Sequence, residues 1–124
     1  MKFKNKKAED RFIQMTVTAQ NLAKEMCEWA WTAYQIELII TETWTTGAED
    51  IKLSRESDTH RTGRAFDIRT KGLPDWFQER FLGHFRFLYE AKIGAVGKNG
   101  PCLIVDRPHG SGPHWHVQIR RGLK

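Results

Sequence analysis

Apolar residues recur at intervals of three and four over residues 10–34, with Met15, Ala19, Leu22, Met26, Trp29 and Ala33 on one stripe, which predicts an amphipathic helix. Trp31 falls off that stripe. A β-branched and aliphatic run at 36–41 predicts a buried strand. Over residues 43–59 the periodicity is lost. Acids, hydroxyls and Gly47 there predict a long irregular loop, of the kind that carries function or moves. Alternation returns at 64–70, where Phe66 and Ile68 take one side of a second strand and Ala65, Asp67 and Arg69 the other. Gly72, Leu73, Pro74 and Asp75 stop that strand and start a second helix, running to about residue 91, with Phe77, Phe81, Phe85 and Leu88 inward. His84 lies beside this stripe, where a structural or surface role outweighs ligation. Gly94, Gly97, Gly100 and Pro101 punctuate the connection to a third strand at 102–106, and a glycine- and proline-rich loop leads to the last strand at 114–120. In that strand Trp115, Val117 and Ile119 alternate inward, with His114, His116, Gln118 and Arg120 on the opposite face. The order helix, strand, strand, helix, strand, strand predicts an α+β fold with a small, mainly antiparallel sheet and flanking helices.

At 124 residues the chain reads as one domain, large enough for a core without disulfide staples. Cys27 and Cys102 lack the close pairing of a cysteine metal site and read as small apolar residues. The formal net charge is +5, which favours polyanionic surroundings such as nucleic acid, anionic wall polymer or an acidic membrane face without choosing among them. Much of the excess sits in Lys2, Lys4, Lys6 and Lys7 and in Arg120, Arg121 and Lys124, read as solvated, partly frayed ends. Residues 1–8 read as a flexible basic lead-in. Glu9, Asp10 and Arg11 follow it instead of an apolar run, so neither a signal peptide nor a membrane span is expected. Such a chain is made in a cytoplasm and acts outside only after another agent releases it.

Candidate chemistry changes the picture most. His60 and Asp67 stand seven residues apart around a turn-forming Gly63, and strand geometry places His114 and His116 on one face with Cβ atoms about 7 Å apart. Both histidines reach one small region, although only one need touch a metal. A single histidine in a strand is usually a satisfied polar residue, and His-x-His alone is a weak signal. Three histidines and an aspartate on polar faces beside glycine-rich loops are harder to explain by packing. A histidine, an aspartate and a second histidine make a three-ligand set for a catalytic zinc with an open position. Trp115 alternates inward as core, and Trp44, in the long loop, is a candidate for stacking on a sugar or peptide.

The run from His60 through Gly63 and Ala65 to Asp67 resembles the His-x-x-Gly-x-Ala-x-Asp signature of the D-alanyl-D-alanine metallopeptidase and phage endolysin group (peptidase family M15), which belongs with the lysostaphin-type enzymes and the hedgehog domain. His114-Trp115-His116 is similar to that group's closing His-x-His. The likeness covers roughly residues 15–120. It implies a hedgehog/D-Ala-D-Ala-peptidase-like fold, Zn2+ held by His60, Asp67 and His116, and hydrolysis of a peptide bond in peptidoglycan stems. His114 is then the partner that positions or deprotonates water, or stabilises the charged intermediate. The chain departs from the pattern at three places. Asp58 stands where the group commonly has serine, with Ser57 one place earlier. The arginine that usually follows the first strand is missing, with Arg55 and Arg61 as possible substitutes. Pro113 occupies the place of an acid three residues before the last ligand, with Asp106 and His109 nearby to replace it. The general base is therefore open among His114, Asp106 and His109.

The implied partner is a peptidoglycan stem peptide, with no nucleic acid and no membrane insertion, and a monomer is expected. Two other readings compete. One is a zinc-bearing binding module that has lost catalysis. The other is a metal-dependent nuclease, suggested by the charge but lacking interleaved aromatic and basic residues.

Overall fold

Thr16 decides where the long helix begins. In a computed structural model of the chain, which describes residues 1–54, 57–107 and 112–124, Met15 and Thr16 adopt extended backbone angles, and the Thr16 hydroxyl accepts from the Ala19 N–H. A hydroxyl residue favours this capping geometry over continuing a helix. The single helix expected over residues 10–34 is accordingly broken. α1 (Lys6–Arg11), capped by Asn5, runs into one 3-10 turn (Phe12–Gln14), and α2 (Val17–Tyr34) follows the corner. Ala19, Leu22, Ala23, Met26 and Ala30 of α2 are buried, Trp29 packs at the core's margin and Trp31 is exposed.

The basic ends are not loose. β1 (Lys2–Phe3) pairs in parallel with β2 (Ile39–Glu42), and the Phe3 ring meets Phe12 edge-on at 5.5 Å. Strand and helix thus replace the flexible lead-in expected for residues 1–8. At the other end Leu123 packs against the core, and Arg121 bonds Asp58 at 2.8 Å.

The sheet runs β1-β2-β3-β7-β6, where β3 is Ala65–Arg69, β6 is Ile104–Arg107 and β7 is His114–Gln118. Every pairing but β1–β2 is antiparallel. The third strand expected at 102–106 divides at Leu103. Cys102 belongs to a separate hairpin of β4 (Ala95–Gly97) and β5 (Gly100–Cys102), while Ile104 starts β6. Cys27 and Cys102 are free thiols, and burial pushes the Cys27 thiol up to about 11.

α4 (Asp75–Phe85) buries Phe77, Phe81 and Phe85 as their spacing predicts. A π turn (Arg86–Glu90) then leads to α5 (Ala91–Ile93). The wider turn changes the phase of the stripe, so Tyr89 rather than Leu88 packs against the core. His84 stacks on Trp29 at 4.8 Å, a packing role. α2 and α4 cover one sheet face, where Ile40, Phe66, Ile68, Ile104, Trp115 and Val117 meet them and Phe81 stacks on Trp115 at 4.3 Å. The polar alternates are left on the other face. No helix among the described residues is long and apolar enough to cross a membrane.

The loop expected over 43–59 contains α3 (Gly47–Lys52), held by a capping box in which Thr46 accepts from the Glu49 N–H and Glu49 accepts from the Thr46 N–H. Hydrogen bonds from Lys7, Thr46 and Arg11 hold the Glu49 carboxyl down to about 2. A carboxyl depressed when folded stabilises above its unfolded value of about 4.3. That contribution is lost as pH falls through the folded value. Acid denaturation of Glu49→Gln is therefore expected to show a shallower loss of stability between about pH 4.5 and 2 than the parent; parallel curves would contradict this.

Candidate metal centre

Cross-strand neighbours in an antiparallel sheet share a face, so register fixes which side chains can meet. Asp67, His116 and Val105 stand abreast on β3, β7 and β6, and Arg69, His114 and Arg107 form the next row. Both rows lie on the face away from the helices. Asp67 and His116 therefore face each other directly, a pairing that alternation alone left open. β2 adds a residue that sequence reasoning missed. Ile40 pairs with Ile68, but a shift at Thr41 pairs Glu42 with Asp67. This irregularity reverses the inside–outside phase and turns Glu42 toward the metal-site face.

His60 arrives from the turn before β3. The Gly63 N–H bonds the His60 carbonyl at 3.0 Å, and the Arg64 N–H bonds Thr59 at 2.8 Å. Gly63 has φ +72°, and a Cβ there would lie 2.8 Å from the Gln14 carbonyl oxygen and 3.2 Å from Met15 Cα. Its own carbonyl accepts from the Thr16 N–H at 2.9 Å, locking the turn against the corner before α2. Asp58 fastens the other side, with one oxygen 2.9 Å from the buried Arg64 and the other 2.8 Å from Arg121. The Arg121 hydrogen bond, above all, keeps the Asp58 carboxyl below its ordinary range. Gly63→Ala combines left-handed strain with a backbone clash and is expected to cost about 2 kcal/mol or more, read from denaturant unfolding; a loss below about 0.5 kcal/mol would contradict the docking.

The turn delivers His60 into a buried cluster. His60 Nε2 lies 3.1 Å and His116 Nδ1 2.9 Å from Asp67 Oδ1. The three donor atoms all fall within 4.8 Å of one another, and the residues are only 5–7% exposed. The outward nitrogens are also bound. His60 Nδ1–H donates to the Thr43 carbonyl at 2.6 Å, and His116 Nε2 meets the Thr59 hydroxyl at 3.1 Å. A carbonyl only accepts, so Nδ1 carries a hydrogen, and once a metal displaces the proton that bonds Nε2 to Asp67 the neutral ring turns its Nε2 lone pair inward. The tautomer in which Thr59 accepts does the same for His116 Nδ1. Oxygen partners of this kind orient histidine ligands and raise their basicity.

The charges agree with the geometry. Burial alone would lower His60, but the hydrogen bond and charge of Asp67 outweigh it and raise the imidazole's pKa. Burial would raise Asp67, yet hydrogen bonds from His116 and His60 hold that carboxyl far below its usual range. Two nitrogens and one carboxylate oxygen, turned inward and sheltered from water, fit a divalent transition-metal ion, zinc among others. The cluster is able to chelate a metal.

His114 stands beside the cluster but outside it. Its Nδ1–H donates to the Gly112 carbonyl at 2.9 Å, and its Nε2 lies 3.8 Å from Asp67 Oδ2. Asp106, expected as an alternative base, is misplaced for that role. It pairs with Trp115 and so belongs to the helix-side face, exposed at the edge strand. One step along β6, the residue in phase with His114 is Arg107. The Arg61 guanidinium lies 3.9 Å from the Asp50 carboxylate. Arg55 and His109 lie outside the described residues. Trp44 donates to the Arg61 carbonyl at 2.9 Å and lines a different cavity, beside Arg11.

The cluster opens into a cleft of about 540 Å³ lined by His60, Asp67, His114, His116, Ser57 and Arg107. A second cavity of about 670 Å³ reaches Asp67 and His114 from the other side, lined by Lys4, Glu42, Arg69 and Lys71. Comparison with protein-family models, with curated proteins and with solved structures found no match to this chain.

Proposed function

We propose that the chain is a zinc metallopeptidase that hydrolyses a peptide bond in bacterial peptidoglycan stem peptides, in an endolysin or wall-remodelling role, on a hedgehog/D-Ala-D-Ala-peptidase-like fold. The observation that carries this reading is the convergence of His60, Asp67 and His116, with each outward ring nitrogen tied to an oxygen. The His-x-x-Gly-x-Ala-x-Asp and His-x-His likeness supplies the substrate class.

In this reading His60, Asp67 and His116 hold the ion. Zinc, when bound, supplies a Lewis acid that acidifies water and polarises a carbonyl. His114 does the proton work. With Nδ1–H fixed on the Gly112 carbonyl, its Nε2 lone pair can accept a proton beside the cluster and return it to the departing amine. Thr43 and Thr59 keep the ligand rings from rotating, and burial of the cluster keeps bulk water from competing.

A metal-bearing module without catalysis is favoured by one observation: Asp106, an acid expected beside His114, faces the other way. Incubating the protein with purified peptidoglycan separates the readings. A peptidase releases new amino groups, and a chelator stops their release. Metal binding without amino-group release would leave the binding module, and release that survives chelation would remove the zinc mechanism.

A further inference from the structure

The row beside the cluster consists of two arginines with a histidine between them. Arg69, His114 and Arg107 stand abreast on three neighbouring strands, so each arginine backbone is about 5 Å from the strand of His114. Each arginine lines a different cavity, Arg69 the one with Lys4 and Lys71, Arg107 the one with Ser57. The two cavities share Asp67 and His114, which puts the centre at the divide between two basins, each with one arginine on its wall. Glu42 on the rim of the first offsets part of its charge.

Partnering sets these two arginines apart. Arg11, Arg61, Arg64 and Arg121 lie beside carboxylates, Arg86 and Arg120 donate to carbonyls, and Arg80 sits over the Tyr34 and Trp76 rings. Among the described residues Arg69 and Arg107 alone have no such partner. Two arginines without an acidic partner among the described residues, in one row with His114 and lining cavities that share Asp67 and His114, suit carboxylates brought by a ligand.

We infer that Arg69 and Arg107 are specificity-determining carboxylate clamps, one on each side of the scissile bond, and that the preferred substrate is a peptide with a free carboxylate on both sides. This rests on the peptidase reading for the position of the bond, but the two fail differently. The probe is the stem pentapeptide L-Ala-γ-D-Glu-L-Lys-D-Ala-D-Ala in four forms: both carboxylates free, the D-Glu α-carboxylate amidated, the C-terminus amidated, and both amidated. Calorimetric titration into metal-free protein reads binding, and amino-group release by zinc-loaded protein reads cleavage.

Each amidation is expected to weaken binding about tenfold. Arg69→Gln and Arg107→Gln are each expected to weaken binding of the di-acid about tenfold and to erase sensitivity to one amidation, a different one for each variant, with partial rescue by Arg→Lys. Equal binding of all four forms, or full discrimination retained by both Gln variants, overturns the inference. Cleavage without discrimination overturns it and leaves the peptidase standing. Discrimination without cleavage supports the clamps and removes the peptidase.

Discussion

Asp67→Asn is expected to lower zinc affinity by more than about 100-fold and to leave no measurable peptide hydrolysis, while the chain still folds. Losing even an outer partner of a ligand costs 10- to 100-fold in comparable sites, and Asp67 is more than that. Its Oδ1 is the atom on which His60 and His116 both converge, at 3.1 and 2.9 Å. Asparagine keeps the shape but removes the one negative charge of the donor set, and it brings an amide that is a poorer ligand. The fold is spared because the substitution lies on the polar face, opposite the side where Phe66 and Ile68 join the core. Thermal unfolding reads the metal term separately. A ligand that binds only the folded state stabilises by about 4 kcal/mol at a thousandfold excess over its dissociation constant, more than about 10 °C in a domain of this size. The parent should show that upward shift with zinc, lose it with chelator, and lose it as pH falls, because protons compete for the same lone pairs. Asp67→Asn should show no shift. A zinc response retained by the variant would place the ion elsewhere.

The histidine strand was legible because period two leaves no choice. With Trp115, Val117 and Ile119 inward, His114 and His116 had to share the other face, and Phe66 and Ile68 oriented Asp67 in the same way. What escaped depended on pairing or on single-residue irregularities. Asp106 is close to His114 along the chain, and only register shows that the in-phase residue is Arg107. Glu42 joins the site through a shift at Thr41 that no alternation in the run 36–41 announces. Two paired residues, Lys2 and Phe3, are too few to distinguish a strand from a basic lead-in. The Thr43 carbonyl and Thr59 hydroxyl orient the ligand rings through loop conformation, which composition does not encode. α3 was legible, since Thr46 and Glu49 stand at capping-box spacing, but the acids and hydroxyls around them suggested a loop. The corner at Thr16 had a signal as well, a capping residue inside an otherwise continuous stripe.

His114→Ala is expected to lower kcat about 100- to 10,000-fold while zinc still binds at one ion per chain. The distinction rests on where the ring sits. His60 and His116 both reach Asp67 Oδ1, whereas His114 Nε2 lies 3.8 Å from Oδ2, and its Nδ1–H is engaged by the Gly112 carbonyl. Removing it should leave the donor cluster intact and take away the proton carrier nearest to it. Asp106→Asn supplies the contrast: its side chain belongs with Trp115 on the helix-side face, so kcat should stay within about twofold. Glu42→Gln tests the other carboxylate that register brings to the metal-site face. A fall in rate there equal to that of His114→Ala would make the acid, not the imidazole, the group that accepts the proton. Loss of zinc from His114→Ala would instead enlist His114 as a ligand and leave the general base to Glu42.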